Sequence, residues 1–73
     1  MSAEFERLLQ EHCDLSIKIH RLEEFLLDYE YKYDRVIYNI SDASYELLRK
    51  QLSIMLKYLE ILEKRIKLWK EEH

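Results

Sequence analysis

The sequence predicts an all-α protein: an antiparallel two-helix hairpin whose copies assemble into a helical-bundle oligomer. Three observations lead there. The 73 residues include no Gly and no Pro; ordinary usage would supply several of each, so long helices with few tight turns are expected. Apolar residues recur at alternating spacings of three and four along two long stretches, the mark of a heptad seam. The second stretch also carries another apolar column, which one hairpin cannot bury together with its seam.

The first helix is expected over about 3–33. Ser2 suits the N-cap, where its hydroxyl accepts an orphan backbone N–H, and Glu4 and Glu6 suit the positive end of the helix dipole. Its seam is Phe5, Leu8, His12, Leu15, Ile19, Leu22, Leu26 and Tyr29. Leu9 and Phe25 widen the stripe, which fits a globular bundle better than a bare two-stranded coil.

A connection is expected over about 34–41. Helical spacing can continue through Tyr33, Val36 or Ile37, and Ile40, while Tyr29, Tyr31 and Tyr33 alternate as in a strand. The reading adopted is a helix that frays after about Tyr33 and an irregular link, with Asn39, Ser41 and Asp42 as the turn-forming residues. Tyrosines at 29, 31, 33, 38 and 45 cluster around this link. They suit a recognition surface, or rings that cover the open end of the hairpin.

The second helix is expected over about 42–71, capped by Ser41 or Ser44. Asp42 and Glu46 fall in its first turns, and Lys64, Arg65, Lys67 and Lys70 crowd the negative pole. Its seam is Tyr45, Leu48, Leu52, Met55, Leu59, Leu62, Ile66 and Trp69. Leu47, Ile54, Ile61 and Leu68 recur every seven residues, roughly 110–130° around the helix from that seam. This column is the expected oligomer interface.

Size and composition agree. The whole chain, 1–73, makes one small helical domain, and small domains usually need a disulfide, a metal or self-association. The single cysteine, Cys13, excludes an internal disulfide. Net charge is −3, with pI near 5.6, which disfavours a nucleic acid polymer as partner. Residues 1–39 hold five Lys/Arg against nine Asp/Glu, and residues 40–73 hold seven against six. That difference weakly favours antiparallel pairing of the halves. No run approaches the roughly 20 apolar residues of a membrane span. The acidic start resembles no signal peptide, so a soluble cytoplasmic protein is expected and the sequon at Asn39 is read as coincidence.

The most pointed polar set is Gln51, Tyr58 and Arg65, seven apart, in the column between the two apolar stripes. An amide, a ring and a planar cationic fork can together take a nucleotide; residues in this column also serve to fix helix pairing. Lys18 and Arg21, one turn apart on the first helix, can join Arg65 at an interface, or simply flank it. His12 lies in the seam, where a polar residue fixes register. His20 and His73 complete no metal-ligand set with it. Cys13 points about 100° away from His12, so the two form no catalytic pair. Glu23 and Glu24 belong to a solvated face. No phosphate-cradling glycine loop or nucleophilic triad exists. No enzyme activity, metal or cofactor is expected.

The stretch Leu47-Leu48-x-x-Gln51-Leu52-x-x-Met55-x-x-Tyr58-Leu59-x-Ile61-Leu62-x-x-Arg65-Ile66 resembles a family of small helical-hairpin proteins of tailed phages, one of them from crAss-like phages. Arg7, Glu11, Leu15, Lys18, Ile19, Leu22, Glu23 and Phe25 share the resemblance, which covers about 50 positions. The link at 29–40 departs from it, being longer and richer in tyrosine. Similarly small oligomeric phage proteins sequester nucleotide signals of bacterial immunity. By analogy of size and helicity, the resemblance implies an accessory counter-defence protein in the host bacterial cytoplasm. It would hold a cyclic nucleotide or ADP-ribose-type signal at subunit interfaces, with Arg65 and Lys18 on phosphate, Tyr58 stacking and Gln51 on a base edge. The alternatives are a helical module that inhibits or adapts a host protein, and a structural coiled-coil phage component.

Overall fold

A computed structural model describes residues 2–31 and 40–73. The chain forms helix α1, Ala3–Tyr31, and helix α2, Asp42–Glu72, packed against each other as an all-α hairpin. The second helix runs one residue past its expected end, a difference within ordinary end fraying. Positions 32 and 33 of the expected first helix lie outside the described residues. So do the expected connection up to residue 39, Tyr33 and Tyr38. No described helix is long and apolar enough to cross a membrane.

The helix ends follow from local chemistry. Ser2 Oγ accepts the Phe5 N–H at 3.3 Å. Of the two serines that suit the start of α2, Ser41 is the cap: its backbone is extended (φ −76°, ψ 160°) and its Oγ accepts the Ser44 N–H at 3.1 Å. Asp42 in the first turn and Lys70 in the last face the poles that favour them. His73 closes α2 by donating its backbone N–H to the Trp69 carbonyl at 3.0 Å.

The seams meet along the full hairpin, which measures 51 × 17 × 16 Å. Phe5 stacks on Trp69 at one end, with centroids 5.5 Å apart, and Tyr29 packs on Tyr45 at the other, 4.8 Å apart. These two ring pairs fix the antiparallel register, so the intervening seam residues of one helix fall opposite those of the other in order. Leu8, Leu15, Ile19 and Leu62 form the buried centre, with Phe5, Leu52, Met55, Leu59 and Ile66 packed around them; Leu62 is fully buried. His12 keeps its place in this line, half-buried, with Nε2 3.4 Å from Glu63 Oε1. A seam histidine beside a carboxylate on the opposite helix suits the register-fixing role. Among the described residues, no cluster of three His, Cys, Asp or Glu is placed to hold a metal ion.

One flank of the seam is closed by a polar cluster that the seam pattern does not reveal. Arg49 Nη1 lies 2.5 Å from Glu30 Oε1, and the Tyr45 hydroxyl donates to the same carboxylate. The hydrogen bond to Glu30 raises the Tyr45 pKa above its ordinary 10.0, and desolvation and the Glu30 charge push the same way. Arg49 is held more firmly protonated by the charges of Tyr45 and Glu30.

Truncating Leu62 to alanine removes a side chain that makes contacts all round, so it should cost about 2–5 kcal/mol of unfolding free energy in urea titration. Ser53→Ala, on the exposed face, should stay within about 0.5 kcal/mol. Alkaline titration checks the flank cluster. A phenol whose pKa is raised by folding adds stability that is complete below its ordinary 10.0 and fades as pH climbs through the higher folded value. The thermal midpoint of the native chain should therefore fall more between pH 9 and 11, on the order of two pH units, than that of Tyr45→Phe.

Candidate functional site

Antiparallel heptad pairing leaves two flanks, and the opposite flank from Glu30 and Arg49 carries the polar set singled out from the sequence. Lys18 of α1 and Tyr58 of α2 line one groove of about 410 Å³, with Arg7, Glu11 and Asp14 along its α1 wall. Arg65 lines a neighbouring groove of about 310 Å³ with Glu4, Arg7, Glu11 and Trp69. Arg7 and Glu11 border both, so the two form one furrow along the hairpin. The Tyr58 ring is 40% exposed and faces solvent from the furrow.

The furrow therefore brings Lys18 to Tyr58 and sets Arg65 further along. It does not bring the whole set to one point. Gln51, Tyr58 and Arg65 are seven residues apart, which is about 10.5 Å per step. A ligand touching all three on a single hairpin would span about 21 Å. Gln51 turns its amide toward its own helix, with Nε2 3.8 Å from Met55 Sδ. Arg21 stands seven and fourteen residues along from Asp14 and Arg7, in the same outer column of α1.

The electrostatics are mixed. Arg7, Lys18 and Arg65 supply three cations, and Glu4, Glu11 and Asp14 supply three carboxylates on the same walls. Among the described residues, ion pairs join His12 to Glu63, His20 to Glu24, Arg49 to Glu30 and Lys64 to Glu60; none involves Arg7, Lys18 or Arg65. Asp14 accepts from Gln10 Nε2 at 2.9 Å. Such walls can grip an anionic group at a cation and meet hydroxyl or amino donors at a carboxylate, which matches the mixed polarity of a nucleotide. Arg7 escaped the sequence reading as a site residue; its seven-residue relation to Asp14 and Arg21 was the available signal.

Beyond the furrow, the seven-spaced apolar column of α2 is left bare: Leu47, Ile54, Ile61 and Leu68 are 64, 66, 54 and 53% exposed. The hairpin thus buries one stripe of α2 and leaves the other in water, as the spacing predicts. At the far end of the furrow, His73 stacks on Trp69 (3.9 Å, 6°), which itself stacks on Phe5. The sequence reading weighed His73 only as a metal ligand, although its spacing of four from Trp69 places the two rings on one face. Tyr29 is buried and Tyr31 is exposed, so the tyrosines described near the link divide between packing and surface.

No curated protein and no solved structure matches the chain. A protein-family comparison does match, over residues 2–68, a span that holds both helices up to the penultimate turn of α2 and every furrow residue named above except Trp69. The chain belongs to the Sequestin family.

Proposed function

We propose that the protein binds and sequesters a small nucleotide signal of bacterial immunity without chemically changing it, as an oligomeric phage counter-defence protein in the host cytoplasm. The observation that carries this reading is the furrow. It sets a solvent-facing tyrosine ring beside Lys18, with Arg7 and Arg65 outside any described ion pair. The family name denotes sequestration and supports the same reading. Lys18 and Arg65 take phosphate groups, Tyr58 stacks on a base, and Gln51 meets a base edge. Arg21 lies in the outer column, where it extends the cationic contact. Arginine suits the phosphate role because its planar fork makes two parallel hydrogen bonds to one anion. A sponge works by affinity and stoichiometry alone, so no acid, base or nucleophile is required of it.

The bare column of α2 favours a second reading, a helical module that docks on a host protein. The two differ in what stabilises the isolated chain. A ligand present at a hundred times its Kd adds about 2.7 kcal/mol. For a domain of this size that is a rise in melting temperature of roughly 10 °C or more. A panel of cyclic nucleotides and ADP-ribose derivatives at millimolar concentration should produce such a rise with at least one compound. Tyr58→Ala and Arg65→Ala should remove the rise, each measured against its own ligand-free midpoint. A flat response to the whole panel would leave the docking module as the better account.

A further inference from the structure

We propose that two copies pair face to face about a two-fold axis perpendicular to the helices, laying α2 antiparallel on α2 and α1 antiparallel on α1. This rests on and deepens the reading above, in which the protein acts as an oligomer; it assigns the bare column of α2 to a second copy and adds the symmetry, the register and the residues each copy lends the other.

The bare column of α2 reads Leu47, Ile54, Ile61, Leu68, the same in either direction. Turned end for end against itself, it sets leucine on leucine and isoleucine on isoleucine. The matching column of α1, on the same flank, is Arg7, Asp14, Arg21, Asp28. Its charges alternate, so reversal inverts every sign: Arg7 falls on the partner's Asp28, and Asp14 on the partner's Arg21. One column is thus self-complementary in shape and the other in charge.

Both columns also centre at one height. The midpoint of Asp14 and Arg21 lies between residues 17 and 18. The register set by Phe5 on Trp69 and Tyr29 on Tyr45 places that point opposite residues 56–57 of α2. The midpoint of Ile54 and Ile61 is between 57 and 58. The difference is about one residue, or ~1.5 Å of rise, so a single axis serves both helices. A two-fold axis parallel to the helices would instead set the apolar column of α2 on the charged column of α1. The hairpin is 51 Å long, so all four levels of both columns can meet across the axis.

The pairing completes the furrow. Leu47, Gln51, Ile54, Tyr58, Ile61, Arg65 and Leu68 alternate spacings of four and three, the pattern of a second seam on α2. About the axis, Tyr58 meets the partner's Tyr58, Lys18 meets the partner's Lys18, and Arg65 stands level with the partner's Gln51. Side chains about 21 Å apart on one hairpin are folded back onto each other across two. The result is two equivalent anion-binding ends around a shared aromatic and cationic centre, suited to a ligand with two separated phosphates.

Ligand-free protein tests this. Sedimentation should give twice the 9.1 kDa chain mass. In a Cys13→Ser background, Ile54→Cys should form disulfides with Ile61→Cys at least about tenfold faster than either forms with itself. Asp14→Arg should raise the dimer dissociation constant at least about tenfold by setting like charges across the axis twice. Adding Arg21→Asp to the same chain should restore it to within about threefold. A monomeric mass at roughly 100 µM, faster self-linking of Ile54→Cys, or an Asp14→Arg dimer of unchanged affinity would each overturn the pairing. The nucleotide panel is scored separately. A monomer that still responds to it defeats the pairing and leaves sequestration standing, and a dimer that ignores it does the reverse.

Discussion

Everything in this molecule depends on one seam. Two long helices without Gly or Pro have no turn chemistry of their own within the described residues to set their register. The heptad line from Phe5 to Tyr29 must find the line from Trp69 to Tyr45, and the ring pairs at both ends hold it there. That register brings Lys18 to Tyr58 on one flank and Glu30 to Arg49 on the other. A slip of one heptad would keep the apolar contacts largely intact but lose both ring pairs and both flank pairings. The specificity of the hairpin therefore comes from its ends and flanks more than from the leucines between them.

The seam was legible because burial and periodicity are the same fact seen twice. Every α2 residue assigned to it, Tyr45 through Trp69, is at least half-buried, and every member of the seven-spaced column beside it is exposed. Capping was legible to within one choice, Ser41 over Ser44. The Tyr45–Glu30–Arg49 cluster was not, because pairing across flanks depends on register, and the sequence of each helix alone leaves register open. The stack of His73 on Trp69 was missed for a different reason. Terminal residues are easily discounted, although a spacing of four puts two rings on one helix face. For the candidate site, the sequence aligns Gln51, Tyr58 and Arg65 in one column, but seven-residue spacing means alignment, not proximity, and the α1 wall with Arg7 came from the fold.

A furrow with equal numbers of cations and carboxylates works differently from an electropositive pocket. It draws an anion in from a distance only weakly, since opposite charges a few ångströms apart cancel beyond a Debye length. Its selectivity comes at contact, where a phosphate must find arginine or lysine and a hydroxyl or amino group must find a carboxylate. In the proposed sequestering role this favours one signal among abundant cellular anions, because bulk nucleotides lacking the full set of groups leave some charged side chains unmatched and desolvated.

The proposed pairing bears on the fold as well as on the site. Among the described residues, the buried core is Leu8, Leu15, Ile19, Leu26, Tyr29 and Leu62, a thin core for a chain that must order two helices of 29 and 31 residues. Without a disulfide, and with the bare column of α2 still in water, a lone hairpin leaves unused much of the apolar surface that could stabilise it. In the proposed pair, burying that column against a second copy adds stability where the single chain lacks it and assembles the split polar set in the same step. Folding, association and ligand capture then draw on one interface, so a ligand that bridges two copies stabilises the fold of both.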